Sequence, residues 1–108
     1  EAAAKAGQVP IKVDYPTTRR ITAAGIRDAY RELFPDVVAK RGHTWTPLKP
    51  EGDPTERHDR IDFVFFGGKG VSVKKLEVVG ERKEAADIVV TPYPSDHRAV
   101  VGTFLIKN

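Results

Sequence analysis

The sequence lacks two features that define large classes of protein. It contains no cysteine in 108 residues, which excludes disulfide scaffolds, thiolate zinc sites, iron–sulfur clusters and cysteine nucleophiles. Its strongly apolar stretches are short, such as residues 63–66 and 88–90. A membrane-spanning helix needs ~18 or more apolar residues in succession, so we expect no transmembrane segment.

A strong excess of one charge is also missing. The chain has 18 Lys and Arg against 15 Asp and Glu, a net charge of +3. The basic residues occur in short pairs, such as Arg19–Arg20 and Lys74–Lys75, whereas nucleic-acid modules usually gather them into a patch or stripe. A general nucleic-acid-binding domain is therefore the weakest hypothesis, and the charge supports only a weak preference for anionic partners.

The residues that are present predict an α+β fold. The 40% hydrophobic content suffices for a core and excludes wholesale disorder. The pattern predicts a helix capped by Thr17 or Thr18 that ends before Gly25, and a second helix over about 27–34. Mainly strands follow, which indicates an antiparallel or mixed sheet. The predicted strands cover 43–46, 60–66, 71–80, 88–91 and 98–106, and a helix over 1–6 and an extended segment over 9–16 precede these elements.

Asp62 is unusual because it falls inside the run 60–66, whose β-branched and aromatic residues predict a buried strand. An ionised carboxylate in apolar surroundings is costly unless it has a partner. That partner is either structural, such as backbone N–H groups or an arginine, or an imidazole in a functional pair. The run alone leaves both interpretations open.

A second polar cluster, Ser95, Asp96, His97 and Arg98, lies directly before the last predicted strand. Ser95 and Asp96 are residues that form turns, so the cluster has a purely structural interpretation. The alternative is an Asp–His dyad, in which a carboxylate fixes the imidazole tautomer and raises its basicity. In that case Asp96 is available to bind a hard cation, directly or through water.

Three segments together resemble the C-terminal half of the endonuclease/exonuclease/phosphatase superfamily, which comprises deoxyribonuclease-like metal-dependent phosphohydrolases. The segments are Asp-Ala-Tyr-Arg-Glu-Leu-Phe-Pro at 28–35, Gly-His-Thr-Trp-Thr at 42–46 with Asp-Arg-Ile-Asp-Phe at 59–63, and Pro-Ser-Asp-His-Arg-Ala-Val at 94–100. The resemblance implies half of a two-sheet α/β sandwich, with two short helices on one face. It also implies hydrolysis of phosphodiester or phosphomonoester bonds.

The resemblance assigns roles to individual residues. His97 matches the active-site histidine that contacts the scissile phosphate as general base or acid, and Asp62 matches the carboxylate that orients it. Asp59 is a competitor for that orienting role. Asp96 matches the aspartate that binds Mg²⁺ or Mn²⁺. Trp45 either lies at the substrate-facing rim or belongs to the core, and we favour the core.

The superfamily's first-half motifs have no counterpart here, and the chain begins with Glu rather than Met. The resemblance thus implies that residues 1–108 are the C-terminal portion of a single domain whose first half is missing. We expect the chain alone to be incomplete and inactive. One sheet would leave an apolar face uncovered, which predicts self-association or association with the missing half.

Two functions remain open at this level. The first is an enzyme whose phosphate-ester substrate is a nucleic acid, a phospholipid or a small phosphodiester, because fold alone does not select among them. The alternative is a non-catalytic fragment or binding module that uses the uncovered sheet face. The enzyme hypothesis requires His97, Asp62 and Asp96 to converge in space.

Overall fold

The computed structural model describes residues 15–108, and it confirms an α+β fold with two short helices and a mixed sheet. A second, two-stranded sheet is also present. The predicted helix at 1–6 and nearly all of the extended segment at 9–16 lie outside the described residues. In chain order the elements are α1 (Pro16–Ala23), β1 (Arg27–Asp28), α2 (Ala29–Leu33), β2 (Phe65–Phe66), β3 (Val71–Gly80), β4 (Ile88–Val89) and β5 (Ala99–Ile106). Between residues 15 and 108, no helix combines the length and apolar character needed to cross a membrane.

The first helix begins earlier than predicted. Pro16 occupies its first turn and Tyr15 is the N-cap, without a capping hydrogen bond from a side chain. The prediction of a cap at Thr17 or Thr18 was therefore wrong. Proline suits a helix start because its φ is already helical and it has no N–H to leave unsatisfied. The helix ends before Gly25, as predicted, and that glycine adopts a φ of 89°.

Helix α2 is anchored by Asp28, its N-cap. The Asp28 carboxylate accepts hydrogen bonds from the backbone N–H groups of Tyr30 and Arg31, at 3.1 and 3.4 Å. It also accepts hydrogen bonds from both terminal nitrogens of Arg60, at 3.1 and 2.6 Å. Each side chain of the Asp28–Arg60 ion pair is only 15% exposed. One carboxylate therefore joins the helix start to the segment that leads into β2.

The larger sheet has the order β4-β3-β5, with β4 parallel and β5 antiparallel to the central strand. The β3–β5 register runs from Val71 opposite Ile106 to Val79 opposite Ala99, and shifts by one residue at Lys74. This bulge lets the buried residues Val73 and Leu76 face the same side of β3 although they are three positions apart. The smaller sheet pairs β1 with β2, antiparallel.

The core lies where α2 packs against β3 and β2. Its buried apolar residues are Ala29, Tyr30, Phe66, Val73, Leu76 and Val78. The predicted buried strand over 60–66 was wrong in extent, since only Phe65 and Phe66 form a strand and Ile61 is 48% exposed. The predicted strand over 43–46 is reduced to isolated bridges at Trp45.

The anchoring role of Asp28 predicts the effect of two substitutions on stability. Asp28→Ala removes the cap and leaves Arg60 without its carboxylate, so we expect a loss of about 2–4 kcal/mol in the free energy of unfolding. Asp28→Asn keeps a capping oxygen and should lose roughly half as much. Urea unfolding monitored by circular dichroism measures both; equal stability of wild type and Asp28→Ala would contradict the role.

Candidate functional site

His97 and Asp62 are in direct contact. The imidazole Nδ1 of His97 lies 2.7 Å from Oδ2 of Asp62, although the two residues are 35 positions apart in the sequence. Their side chains are 38% and 42% exposed, respectively. The sequence pattern predicted that Asp62 lies in a buried strand. In the structure Asp62 instead forms a pair with His97 that is partly exposed to solvent. A pair with this exposure is accessible to a substrate.

The Asp62 carboxylate raises the pKa of His97, mainly through the hydrogen bond to Nδ1. Its negative charge and that of Asp96 add to the rise, while partial desolvation of the ring opposes it. When the neutral ring donates from Nδ1 to the carboxylate, the lone pair of the imidazole is on Nε2. This arrangement suits an imidazole that accepts a proton from a bound water.

Trp45 lies beside this pair. Its ring meets the His97 ring edge-on, with centroids 5.1 Å apart and an angle of 72°. The indole Nε1 donates a 3.2 Å hydrogen bond to Glu56, and the backbone of Trp45 bridges to both Asp59 and His97. Trp45 is half-buried and forms a wall of the candidate site.

The other two predicted carboxylates differ in position. Asp59 exchanges two backbone hydrogen bonds of 3.1 Å with Trp45, and its carboxylate lies 3.9 Å from Nε of Arg57. The hydrogen-bond partner of His97 Nδ1 is Asp62. Asp96 is exposed next to His97, and its backbone carbonyl accepts a 2.7 Å hydrogen bond from the hydroxyl of Thr46.

One exposed carboxylate beside the dyad, that of Asp96, is available to a metal ion. Within residues 15–108, no group of three or more His, Asp or Glu side chains is placed to hold a metal ion. Mg²⁺ nevertheless keeps several waters and often binds through one or two carboxylates and the phosphates of the substrate. The exposed carboxylate of Asp96 fits that pattern as a single protein ligand.

Arg98 is a buried residue next to His97, and the sequence pattern assigned it no role. Its side chain is 1% exposed. Its guanidinium forms two 2.8 Å hydrogen bonds with Glu81 and a 2.9 Å bond to the carbonyl of His43. The Arg98 hydrogen bond in turn lowers the pKa of Glu81. An arginine at the entrance of an apolar strand was the only signal that the sequence offered.

Gly80, the last residue of β3, makes room for that arginine. A Cβ atom at Gly80 would lie 3.0 Å from Cδ of Arg98 and equally close to Cβ of Ala86. The aliphatic part of Arg98 thus crosses directly over the end of β3. The ion pair and this close approach together fix the position of Arg98. They therefore also fix the preceding residue, the candidate catalytic His97, just before β5.

Comparison with known proteins shows that the chain is similar to an uncharacterized protein of Caenorhabditis elegans. The two are 33% identical over 99 residues, which cover 85% of this chain and 32% of the relative. The chain therefore spans about a third of the length of that protein. No family model and no solved structure matches the chain.

The dyad geometry predicts how the pKa of His97 responds to substitution. Asp62→Asn removes the charge that favours the imidazolium, so the pKa of His97 should fall toward its ordinary value of 6.5. Because the folded-state pKa is raised, the pair stabilises the fold below about pH 6.5 and this contribution disappears as the pH rises through the folded-state pKa. Asp62→Asn should thus reduce stability at acidic rather than alkaline pH.

NMR titration of the His97 ring measures this pKa, and urea unfolding at pH 5.5 and 9 measures the stability. Asp59→Asn is the matched control, because the carboxylates that raise the pKa of His97 are those of Asp62 and Asp96, so the substitution should leave the titration unchanged. If Asp62→Asn titrates like the wild type, the hydrogen bond does not set the proton affinity of His97.

Proposed function

We propose that this chain carries part of the active site of a divalent-metal-dependent phosphohydrolase that hydrolyses phosphodiester, or else phosphomonoester, bonds. The observation that carries the proposal is the 2.7 Å contact between Asp62 and His97 in a half-exposed position. The resemblance of three sequence segments to endonuclease/exonuclease/phosphatase proteins supports it. The adjacent Asp96 adds an exposed carboxylate to the same surface.

The residues suit such a reaction. Phosphoester hydrolysis needs a positioned water, a Lewis acid at the non-bridging oxygens and donors toward the charge that develops. The neutral ring of His97 accepts a proton from the water at Nε2, while Asp62 holds the ring and stabilises the imidazolium. The protonated ring then serves as a donor to the phosphate or the leaving oxygen. When bound, Mg²⁺ or Mn²⁺ supplies the Lewis acid, and Asp96 would hold it.

We further propose that the active site is completed by residues beyond those described here. One carboxylate is the least that a Mg²⁺ site of this kind uses, and the chain spans about a third of its relative. The chain by itself is then inactive. Its substrate is a nucleic acid, a phospholipid or a small phosphodiester, and the half-exposed dyad does not select among them.

The test is hydrolysis of bis(p-nitrophenyl) phosphate with Mg²⁺ or Mn²⁺, by this chain and by a chimera in which the chain replaces the matched segment of the Caenorhabditis elegans protein. We expect metal-dependent turnover by the chimera and none by the 108-residue chain on its own. In the chimera, His97→Ala should lower kcat roughly 10²–10⁴-fold, because it removes the general base.

The matched control is His43→Ala, since the His43 side chain pairs with Glu51 outside the dyad. It should keep kcat within about twofold. A folded chimera without metal-dependent turnover, or one whose turnover survives His97→Ala, would contradict the proposed activity.

A second candidate is a non-catalytic binding module, and one surface favours it. On β5, Ala99, Val101, Thr103 and Leu105 are exposed, while Val100 and Phe104 on the opposite side pack against the core. Val101 is 44% exposed and Leu105 is 37% exposed. Among the described residues nothing covers this side of β5, and exposed apolar side chains on an edge strand are a surface for association.

The binding hypothesis predicts self-association of the chain through this face. Sedimentation equilibrium should show a concentration-dependent dimer, and Val101→Glu should weaken it roughly tenfold or more because the charge would be desolvated at the interface. Leu48→Glu is the matched control, since Leu48 is 70% exposed and lies outside the sheet. A chain that stays monomeric at millimolar concentration would contradict self-association.

A further inference from the structure

Thr44 contacts the backbone on both sides of the dyad. It is completely buried, with 0% exposure. Its hydroxyl oxygen accepts two hydrogen bonds of 3.1 Å, from the N–H groups of Ile61 and Asp62. Its carbonyl oxygen accepts a 2.7 Å hydrogen bond from the N–H of Arg98, the residue after His97. One residue is therefore bonded to the segments that carry both dyad members.

The chemistry of these bonds restricts which residues can replace Thr44. A hydroxyl oxygen has two acceptor lone pairs, so one small side chain satisfies two successive N–H groups. Without it, the N–H groups of Ile61 and Asp62 lose their partners, since neither residue belongs to a strand. An unmade hydrogen bond in a partly buried place disfavours the backbone path that aims Asp62 at His97.

We propose that Thr44 is a positioning residue: it holds the backbones of Asp62 and Arg98 to one buried point, and so keeps the Asp62 carboxylate in contact with His97. The catalytic consequence rests on the proposed function, because it matters for hydrolysis only if the dyad is the acid–base pair. The geometric consequence does not. Thr44 touches neither ring nor substrate surface and acts through Asp62.

The experiment compares Thr44→Val with Thr44→Ser in the 108-residue chain. Valine matches threonine in shape but cannot accept the two N–H bonds, whereas serine retains the hydroxyl. The readout is the tautomer of the neutral His97 ring, measured from its ¹⁵N NMR shifts. We expect the wild-type ring to carry its proton mainly on Nδ1, as the contact with Asp62 requires, Thr44→Val to shift the proton toward Nε2, and Thr44→Ser to keep the wild-type tautomer.

Val78→Ala separates positioning from general loss of stability. Val78 is a core residue with 4% exposure, so its truncation lowers the free energy of unfolding without touching the Thr44 bonds. Its His97 ring should have the wild-type tautomer. A wild-type tautomer in Thr44→Val, or an equal shift of the tautomer in Val78→Ala, would overturn the positioning role.

A further measurement keeps the proposal testable if Thr44→Val does not fold. In the wild-type chain, the amide protons of Ile61 and Asp62 should exchange with solvent as slowly as that of Arg98, because all three bond to Thr44. Fast exchange at Ile61 and Asp62 would overturn the proposal.

The chimera adds a catalytic readout. If the dyad is the acid–base pair, Thr44→Val should reduce kcat, with KM unchanged. A shifted His97 tautomer without any change in kcat would leave the positioning intact and count against the proposed phosphohydrolase. The two failures are therefore distinguishable.

Discussion

The buried guanidinium of Arg98 is the constraint on which most of the structure depends. A charge that is 1% exposed is tolerated only with close, hydrogen-bonded partners. Arg98 finds them in Glu81, directly after β3, and in the carbonyl of His43. Since Arg98 itself precedes β5, one side chain joins the ends of two strands to the otherwise irregular segment 43–46. Removing any partner would leave a buried charge, so these three parts of the chain hold one arrangement.

That arrangement places segment 43–46 at the centre of the candidate site. Thr44 and Thr46 face inward and are completely buried, and their hydroxyls bond to backbone groups of Asp62 and Asp96. Trp45 faces the other way and packs against the ring of His97. Consecutive side chains of this segment thus point to opposite sides, because side chains alternate along an extended backbone. The segment forms almost no sheet of its own, yet it orients every residue proposed to act in the site.

Two ion pairs in the molecule use similar groups for opposite purposes. The Arg98–Glu81 pair is largely withdrawn from solvent, and its worth lies in fixing geometry. The His97–Asp62 pair is half-exposed, and the carboxylate raises the pKa of the imidazole. A guanidinium cannot give up its proton, whereas an imidazole can. Exposure and side-chain chemistry together explain why only the second pair suits proton transfer.

Local pattern in the sequence determined the α+β class, the long strand β3, the apolar strand β5 and the helix stop before Gly25, because these depend on neighbours within a few residues. The apolar run around Asp62 and the polar cluster around His97 drew attention to both residues, and the resemblance to phosphohydrolases assigned their roles, but spacing alone left their contact open. Only the tertiary structure decided the rest. The run 60–66 failed to become a full strand because two of its N–H groups bond to the hydroxyl of Thr44, 17 and 18 positions away. Such long-range hydrogen bonds produce no periodic pattern in the sequence. The contact between Asp62 and His97 and the bonds of Thr44 could therefore be identified only from the folded chain.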